Sequence, residues 1–360
     1  MLWISRRLAL VNGVAMVYSR IMPPRSTKEI SIRDVARTAG VSVATASRVL
    51  SKAEYPVATD TRQRVLDAAA TLGFVPNAMA RGLARSRSDS VGVIIPWTNA
   101  YYAAMMSGIE AAARAQGLTM LLGLTNGDEE RREAHIAAFL ERRVDGILIC
   151  AAAHDQRLGR RPEEMPVPAV LIGRQPDAGY PIIRTDNVAA GHAAAHHLWS
   201  LGHRRFAYLT PDDAWYDFRD RRVGMMGFLE SADEPFSVEL FEGVRGETDA
   251  YRRVADACRN GFDATAILAS TDRHALGVLA ALSDARILVP EQKAVMGFDN
   301  YITSEFLRPS LTSMSMPATE MGALGVEYLR QAINGAAVPK ETVLQAALIA
   351  RQSTGPWRGT

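Results

Sequence analysis

A short segment near the N-terminus carries hydroxyl groups, small apolar side chains and one arginine at helical spacing. Its members are Ser42, Val43, Ala44, Thr45, Ser47 and Arg48, and Thr61 adds a hydroxyl further along. A guanidinium can donate two hydrogen bonds to O6 and N7 of guanine, and a small apolar side chain can contact a thymine methyl group. Hydroxyls suit phosphate oxygens, which set the register of a protein on DNA. This chemistry fits contact with DNA, although Ser42 can also be a plain helix cap and Arg48 a surface arginine.

Three short helices are predicted around this segment, over residues 31–73. The first runs from a cap at Ser31 to Gly40, the second covers roughly 43–50 after Ser42, and the third begins at Thr59 or Asp60 and ends at Gly73. The apolar residues expected to face inward are Ala46, Val49 and Leu50 in the second helix and Val65, Leu66, Ala69 and Leu72 in the third. Two helices joined by a tight glycine turn and closed by a third form a helix-turn-helix unit.

Basic charge is concentrated at the front of the chain. The 360 residues carry a formal net charge of +2, yet residues 1–27 hold four arginines and no acid. Residues 28–87 hold ten Lys/Arg against five Asp/Glu, so the remainder is net acidic. This charge asymmetry indicates that only the N-terminal part of the chain binds a polyanion, unless the uneven distribution of charge is accidental.

From Ser90 onward, apolar runs typical of strands alternate with helical stretches. Strands are predicted at 91–95, 119–124, 146–150, 167–172, 206–210, 265–269 and 294–298. Alternation of this kind predicts doubly wound parallel sheets, and about 270 residues are enough for two such lobes. The predicted fold class is an all-α helix-turn-helix headpiece followed by an α/β core of two lobes.

Sequence motifs for other functions are missing or incomplete. Cys150 and Cys258 lie far apart, which argues against a disulfide framework or a zinc site. His192, His196 and His197 have the helical spacing of metal ligands but no acid or cysteine partner nearby. No apolar run approaches the roughly 18 residues that cross a bilayer. Because a nucleophile elbow, a Walker loop and a dinucleotide fingerprint are also missing, we expect no enzyme, cofactor, metal or membrane partner.

Several motifs, in order over roughly residues 30–350, resemble the lactose/galactose repressor family of transcriptional regulators. They are residues 32–50 (IRDVARTAGVSVATASRVL), 73–77 (GFVPN), 80–84 (ARGLA), 143–146 (RVDG), 202–203 (GH), 295–299 (VMGFD) and 309–312 (PSLT). The resemblance implies a headpiece, a hinge helix and a core like that of periplasmic binding proteins, which dimerises. The implied parts are a disordered extension or mis-assigned start (1–29), the headpiece (30–76), the hinge helix and linker (77–88), a first lobe (89–187 plus 317–341) and a second lobe (188–316 plus 342–360).

The resemblance also assigns DNA contacts by position. Residues 43, 44 and 48 are those that enter the major groove in the family. Asn77, Ala80 and Leu83 fall in the hinge helix, which orders on operator DNA and enters the minor groove. Leu83 matches an apolar wedge that unstacks a base step and bends the duplex, unless this stretch is an ordinary linker.

By position, an effector pocket lies between the lobes. Arg221 matches the arginine that grips ligand hydroxyls or carboxylates, and Asp299 matches its acidic partner. The other implied pocket residues are Tyr101, Tyr102, Arg174, Trp215, Asp217, Arg245 and Thr271, and next to them Asp272 is either a pocket residue or a helix cap. The cations Arg174 and Arg245 favour an anionic ligand slightly, unless they pair with Asp217 or Glu247.

Together these observations predict a ligand-responsive, sequence-specific DNA-binding transcriptional regulator. We expect a repressor that binds a near-palindromic operator as a homodimer, with a tetramer left open, and that senses a sugar or sugar acid. Its expected place is cytoplasmic, at the nucleoid. A solute-binding transport protein would share the lobes but not the headpiece, and an enzyme would need a convergent catalytic cluster.

Overall fold

The computed structural model describes residues 30–51, 56–75, 87–150, 161–174, 179–211 and 215–358. Close contacts divide the chain into two units, with the boundary between residues 85 and 86. The predicted N-terminal extension and the predicted hinge contacts Asn77, Ala80 and Leu83 lie outside the described residues. The headpiece and the core are described separately below.

Three helices form the headpiece: α1 (Ile32–Ala39), α2 (Val43–Leu50) and α3 (Thr59–Leu72). Gly40 and Gly73 end α1 and α3 in the left-handed region, with φ of 64° and 63°. A residue with a Cβ atom is strained in that conformation, so glycine is the natural stop signal. The predicted helix ends are confirmed at both glycines.

The headpiece core is small and consists mainly of valine and alanine. Its buried members are Val35, Ala36, Ala39, Ala46, Val49, Val65, Ala68 and Ala69. The prediction that Leu66 faces inward is wrong, because its side chain is 44% exposed. Helix α3 buries positions 65, 68 and 69, which share one face, and Leu66 lies about 100° around the helix from Val65.

In its described part, the core alternates strands with helices. The strands are β1 (Ser90–Ile95), β2 (Thr119–Leu124), β3 (Gly146–Cys150), β4 (Ala169–Ile172), β5 (Ile182–Thr185), β6 (Arg205–Leu209), β7 (Ser237–Phe241), β8 (Ala266–Ala269), β9 (Ala294–Phe298), β10 (Thr312–Ser315), β11 (Glu341–Leu344) and β12 (Ala347–Ile349). The helices are α4 (Ala100–Ala115), α5 (Glu129–Glu141), α6 (Asn187–Ser200), α7 (Tyr216–Ser231), α8 (Gly246–Arg259), α9 (Asp272–Asp284) and α10 (Ala318–Ile333). Two 3-10 turns cover Pro162–Glu164 and Ile302–Glu305. No helix of the described chain is long and apolar enough to cross a membrane.

The strands form two six-stranded sheets, one in each lobe. The first lobe has the order β11-β5-β4-β3-β1-β2, and its strand pairs are parallel. The second has the order β12-β10-β9-β8-β6-β7, with only β12 antiparallel to its neighbour. Apolar clusters cover both faces of each sheet, with α4 and α10 on one face of the first and α5 on the other. In the second, α6 and α7 cover one face and α8 and α9 the other.

The chain crosses between the lobes three times, after β5, after β10 and after β11. The last crossing was expected at residue 341, but the backbone of Glu341–Leu344 pairs with β5 of the first sheet. The second lobe therefore resumes after Leu344 rather than at residue 342. The physical reason is that β11 completes the hydrogen bonding of an edge that β5 alone would leave open.

Candidate functional site

The outer side of α2 carries the predicted contacts to bases. Ala46 and Val49 are buried in the headpiece core, and the exposed residues of the helix are Val43, Ala44, Ser47 and Arg48. This division follows from the 3.6-residue repeat, which places positions 46 and 49 on one side of the helix. The exposed side presents one guanidinium among small side chains, which suits the edges of bases in a major groove.

Ser42 caps α2, as one of its two interpretations predicted. Its Oγ accepts a hydrogen bond from the backbone N–H of Thr45 at 3.1 Å and lies 2.9 Å from Thr45 Oγ1. Thr61 is half-buried in the first turn of α3. Contacts to phosphates from these three hydroxyls and from the exposed Ser47 remain predictions.

A cleft of about 570 Å³, partly open to solvent, lies between the two lobes of the core. It is lined by Trp97, Asn99, Tyr101, Tyr102, Arg174, Trp215, Tyr216, Asp217, Phe218, Arg221, Thr271 and Asp299. Many of these residues follow the carboxyl ends of parallel strands, where α/β sheets commonly bind ligands.

Arg221 of α7 is the central cation of this cleft, and it is only 4% exposed. Its Nε donates a hydrogen bond to Oδ1 of Asn187 at 2.9 Å, and its Nη1 donates to the carbonyl oxygen of Ser270. Its Nη2 lies 3.9 Å from Oδ1 of Asp299. Three separate elements therefore fix the position of one guanidinium.

Close packing of α6 against α7 makes this arrangement possible. A Cβ atom on Gly191 of α6 or on Gly224 of α7 would lie 1.9 Å from a carbonyl oxygen of the facing helix. The two backbones can therefore approach only because both positions are glycine. At the start of α6, Asn187 reaches Arg221 and also donates from Nδ2 to Oδ1 of Asp217 at 2.9 Å.

Asp299 follows β9 with a left-handed φ of 101° and a side chain that is 5% exposed. Burial raises the pKa of its carboxyl group to about 7, and the nearby Asp272 adds to this effect. The guanidinium of Arg221 and a hydrogen bond from Tyr301 lower the pKa and only partly offset the burial. The carboxyl group therefore sits near its midpoint of ionisation at neutral pH.

The adjacent residues Thr271 and Asp272 have different structural roles. Thr271 caps α9, since its Oγ1 accepts from the backbone N–H of His274 at 3.2 Å, and it also lines the cleft. The buried Asp272 accepts from the backbone N–H of Tyr301 at 2.9 Å and from the hydroxyls of Ser304 and Ser313, each at 2.6 Å. Asp272 is therefore an anchor for the loop that carries Asp299, and the capping role belongs to Thr271.

Of the two additional cations, only Arg174 lines the cleft, where it forms an ion pair with Asp220. Arg245 is exposed and does not line the cleft, because it follows β7, the outermost strand of the second sheet. The alternative pairing with Glu247 is also absent, since Glu247 pairs with Arg273. The prediction that Arg245 adds positive charge to the pocket is wrong on this geometry.

Aromatic rings form the walls of the cleft. Trp97 of the first lobe and Trp215 of the second have ring centroids 4.9 Å apart, at an interplanar angle of 58°. Tyr101 and Tyr102 pack edge to face at 5.2 Å. Burial raises the pKa of both tyrosines well above its usual value, so both stay neutral. The walls thus offer flat apolar faces to a ring-shaped ligand.

Comparison with known proteins decides the family. Residues 31–77 match the model of bacterial regulatory proteins of the lacI family, and residues 195–354 match a periplasmic binding protein-like domain. The transcriptional regulator GalS of Salmonella typhimurium is 30% identical over 336 residues, which cover 91% of this chain and 97% of GalS. This chain belongs to the LacI family.

Other similar proteins agree in fold and class. The repressor PurR of Mannheimia succiniciproducens is 29% identical over 333 residues, covering 90% of this chain and 98% of PurR. A Lac repressor dimer bound to operator and an anti-inducer superposes with a TM-score of 0.80 at 24% identity, covering 91% and 100% of the two chains. A complex of CelR with cellobiose gives a TM-score of 0.67 at 26% identity, covering 90% and 99%. The predicted fold class is confirmed, and this LacI-family chain is a DNA-binding transcriptional regulator rather than an enzyme.

Within this LacI-family core, the structure brings most of the predicted effector residues together. Tyr101, Tyr102, Arg174, Trp215, Asp217, Arg221, Thr271 and Asp299 line one cleft. Their contact with an effector remains a prediction. The sequence interpretation missed four lining residues, Trp97, Asn99, Tyr216 and Phe218, and also Asn187, which orients Arg221. A signal existed for Trp97 and Asn99, since both lie within four residues of the end of the predicted strand 91–95.

Proposed function

We propose that this LacI-family regulator represses transcription from a near-palindromic operator and changes its operator affinity when a small polar metabolite enters the cleft. The observation that carries the proposal is the presence, in one chain, of a headpiece helix that exposes one arginine among small side chains and of a cleft with convergent polar groups. A working place at the nucleoid follows, because the proposed target is chromosomal DNA.

The proposed DNA-bound form is a homodimer. One headpiece presents only a few side chains to bases, and a two-fold pair doubles the contact set and reads two half-sites. A similar protein, the Lac repressor, is described as a dimer on its operator, which supports the same arrangement here.

A sugar or a related ring is the effector class that fits the cleft. Aromatic faces from Trp97, Trp215 and Tyr102 suit the apolar face of a sugar ring, and Asp217 and Asp299 can accept from its hydroxyls. The similar CelR is described as a complex with cellobiose. The anionic version of the proposal loses support, since Arg245 is outside the cleft and Arg174 is paired with Asp220.

The test is selection of genomic DNA fragments by the full chain, followed by footprinting and a titration of effectors on the recovered operator. A two-fold symmetric footprint is expected, together with release or tightening by at least one sugar. Full affinity for a single asymmetric half-site would contradict the dimer. An operator affinity that no sugar changes would contradict the effector class.

A further inference from the structure

Two side-chain pairs join the lobes directly across the cleft. Trp97 follows β1 of the first lobe, and the centroid of its ring lies 4.9 Å from that of Trp215, the N-cap residue of α7 in the second lobe. Arg174 follows β4 of the first lobe, and its Nη1 donates to Oδ2 of Asp220 in α7. These four residues, called the cross-cleft pairs below, fasten the first lobe to the N-terminal end of one helix of the second.

The cross-cleft pairs lie nearer to solvent than the central polar groups of the cleft. Trp97 and Trp215 are half-buried, and the side chain of Arg174 is 36% exposed. Arg221 and the side chain of Asp299 are only 4% and 5% exposed. A ligand that moves from solvent towards Arg221 therefore meets the cross-cleft pairs first.

Trp97 is positioned by its own lobe. Its ring packs against the apolar cluster between the first sheet and α4. A Cβ atom on Gly127, whose φ is 77°, would lie 3.1 Å from Cζ2 of Trp97. Glycine at this position therefore permits the left-handed turn and also leaves room for the indole. The ring of Trp97 thus has a defined place from which it contacts the second lobe.

Arg174 reaches the second lobe from a glycine turn. Gly173, between β4 and Arg174, has a φ of 110°, which a residue with a Cβ atom adopts only under strain. The guanidinium of Arg174 pairs with Asp220, and its Cζ also lies 5.7 Å from the ring centroid of Tyr216. Both of these partners belong to α7, so Arg174 keeps its contacts only while the lobes stay together.

A ligand ring competes with the aromatic pair. At a centroid distance of 4.9 Å the two indoles are in contact, and each covers part of the face of the other. A sugar ring that stacks on Trp97 or Trp215 has to take the place of the other indole. Because Trp215 and Asp220 belong to the same end of α7, a shift that separates the indoles also draws Asp220 away from Arg174.

We infer that the cross-cleft pairs form a latch between the lobes and that a ligand ring binds by parting it. This inference rests on the proposed function, since it takes the cleft as the effector site. It adds the way in which the ligand changes the position of the lobes, because parting the latch leaves the lobes joined by the chain crossings, about which they can turn.

Circular dichroism of the full-length protein tests the latch before any ligand is added. Two indoles in contact at an angle give an exciton couplet in the far ultraviolet, and a single indole does not. We expect the couplet in the unsubstituted protein and its loss in Trp97→Phe and in Trp215→Phe. The control Trp199→Phe changes a ring that stacks on Phe206 and should keep the couplet. A couplet that is missing from the unsubstituted protein overturns the inference.

The ion pair is tested by the same signal. Asp220→Asn keeps the shape of the side chain and removes the charge that holds Arg174, so it should weaken the couplet. The matched control, Glu242→Gln, breaks the pair between Arg222 of α7 and Glu242 within the second lobe and should leave the couplet unchanged. If the couplet is the same in Asp220→Asn as in the unsubstituted protein, the two pairs do not act together and the inference fails.

Calorimetry with D-glucose, D-ribose and cellobiose gives the second measurement. Because the ligand has to part the latch, Asp220→Asn should bind a sugar about two- to fivefold tighter than the unsubstituted protein, and Glu242→Gln should bind it equally well. Asp220 does not line the cleft, and a purely structural role would make its loss weaken binding instead. A saturating sugar should also remove the couplet.

The failures of the two proposals are distinguishable. Weaker or unchanged sugar binding in Asp220→Asn, or a couplet that persists with bound sugar, overturns the latch. If none of the three sugars binds, or if a bound sugar leaves operator affinity unchanged, the proposed function is contradicted instead, and the couplet of Asp220→Asn still decides whether the latch exists.

Discussion

On α2 the residues expected to contact DNA stand at the surface, whereas in the cleft the residues expected to contact a ligand hold one another in place. Arg48 is exposed on a helix whose opposite side makes the core. Arg221 is buried and binds groups from three other segments of the chain. Changes on α2 should therefore act on DNA binding alone, and changes in the cleft should act on both stability and ligand response.

The largest effect is expected for Arg221→Ala. Removing this side chain leaves the buried acceptors of Asn187 and Ser270 without their donor and opens a cavity, which should lower the free energy of unfolding of the core by about 3–5 kcal/mol. Ligand response should be lost, and operator binding should persist where the protein stays folded. Urea unfolding followed by tryptophan fluorescence measures the loss. The neighbouring Arg222→Ala breaks a more exposed pair with Glu242 and should cost less than about 1 kcal/mol. Equal losses in the two variants would contradict the central role of Arg221.

For Arg48→Ala the loss should appear in DNA recognition and not in folding. We expect a cost of about 1–3 kcal/mol per half-site at one base pair, with the melting temperature nearly unchanged. Binding assays on operators randomised at each position measure it. Arg259→Ala, which removes an exposed arginine of α8 paired with Asp256, is the control and should leave specificity intact. A uniform weakening across all sequences would instead indicate that Arg48 contacts phosphate.

Asp299 should give the core a recognisable pH dependence. Its pKa is about 7 in the folded protein, against about 4 for an unperturbed aspartate, so the folded state holds a proton that the unfolded chain has released. Stability should therefore fall as the pH rises from about 4 to 7, with a slope on the order of 1 kcal/mol per pH unit for one proton, and level off above that. Asp299→Asn should reduce this slope. The residual slope should come from Asp272, whose pKa burial raises to about 6, and from Asp217. An unchanged slope in Asp299→Asn would show that Asp299 is ionised throughout.

The smallest effect is expected for Leu66→Gln in the headpiece. Because Leu66 is 44% exposed, the substitution should change the free energy of unfolding by no more than about 0.5 kcal/mol. The adjacent Val65→Ala removes fully buried methyl groups and should cost about 2 kcal/mol. Thermal unfolding of the two variants compares them directly. A larger loss for Leu66→Gln would indicate that Leu66 faces the headpiece core, as the sequence pattern predicted.

The sequence predicts the strands with unbroken apolar runs best. Strands 119–124, 146–150 and 294–298 are confirmed at their predicted bounds. The prediction omitted five strands, β5, β7, β10, β11 and β12. Of these, β7, β11 and β12 lie at sheet edges, and the residues of β7 and β11 are exposed or half-buried, as in Ser237–Phe241. Without a continuous apolar run, such edge strands resemble loops in a single sequence.

The candidate site also has residues that the sequence predicts and contacts that it does not. The exposed side of α2 follows from local periodicity, and most cleft residues follow from their position in the family motifs. The pairing inside the cleft does not, because it depends on contacts between segments far apart in sequence. Asn187 meets Arg221 only because Gly191 and Gly224 let two helices touch, and Arg174 meets Asp220 across the same cleft. Arg245 was misplaced because its distance from the cleft is set by strand order and not by the residues around it.

The three crossings between lobes bear on the order in which the chain can fold during synthesis. The headpiece helices end at Leu72, so that unit is complete early in translation. The first lobe needs α10 for its core and β11 for its edge, so its sheet is complete only when Leu344 has been made. The second lobe needs β12, so its sheet is complete only when Ile349 has been made. A nascent or prematurely terminated chain would therefore have a complete headpiece long before either lobe of the core is complete.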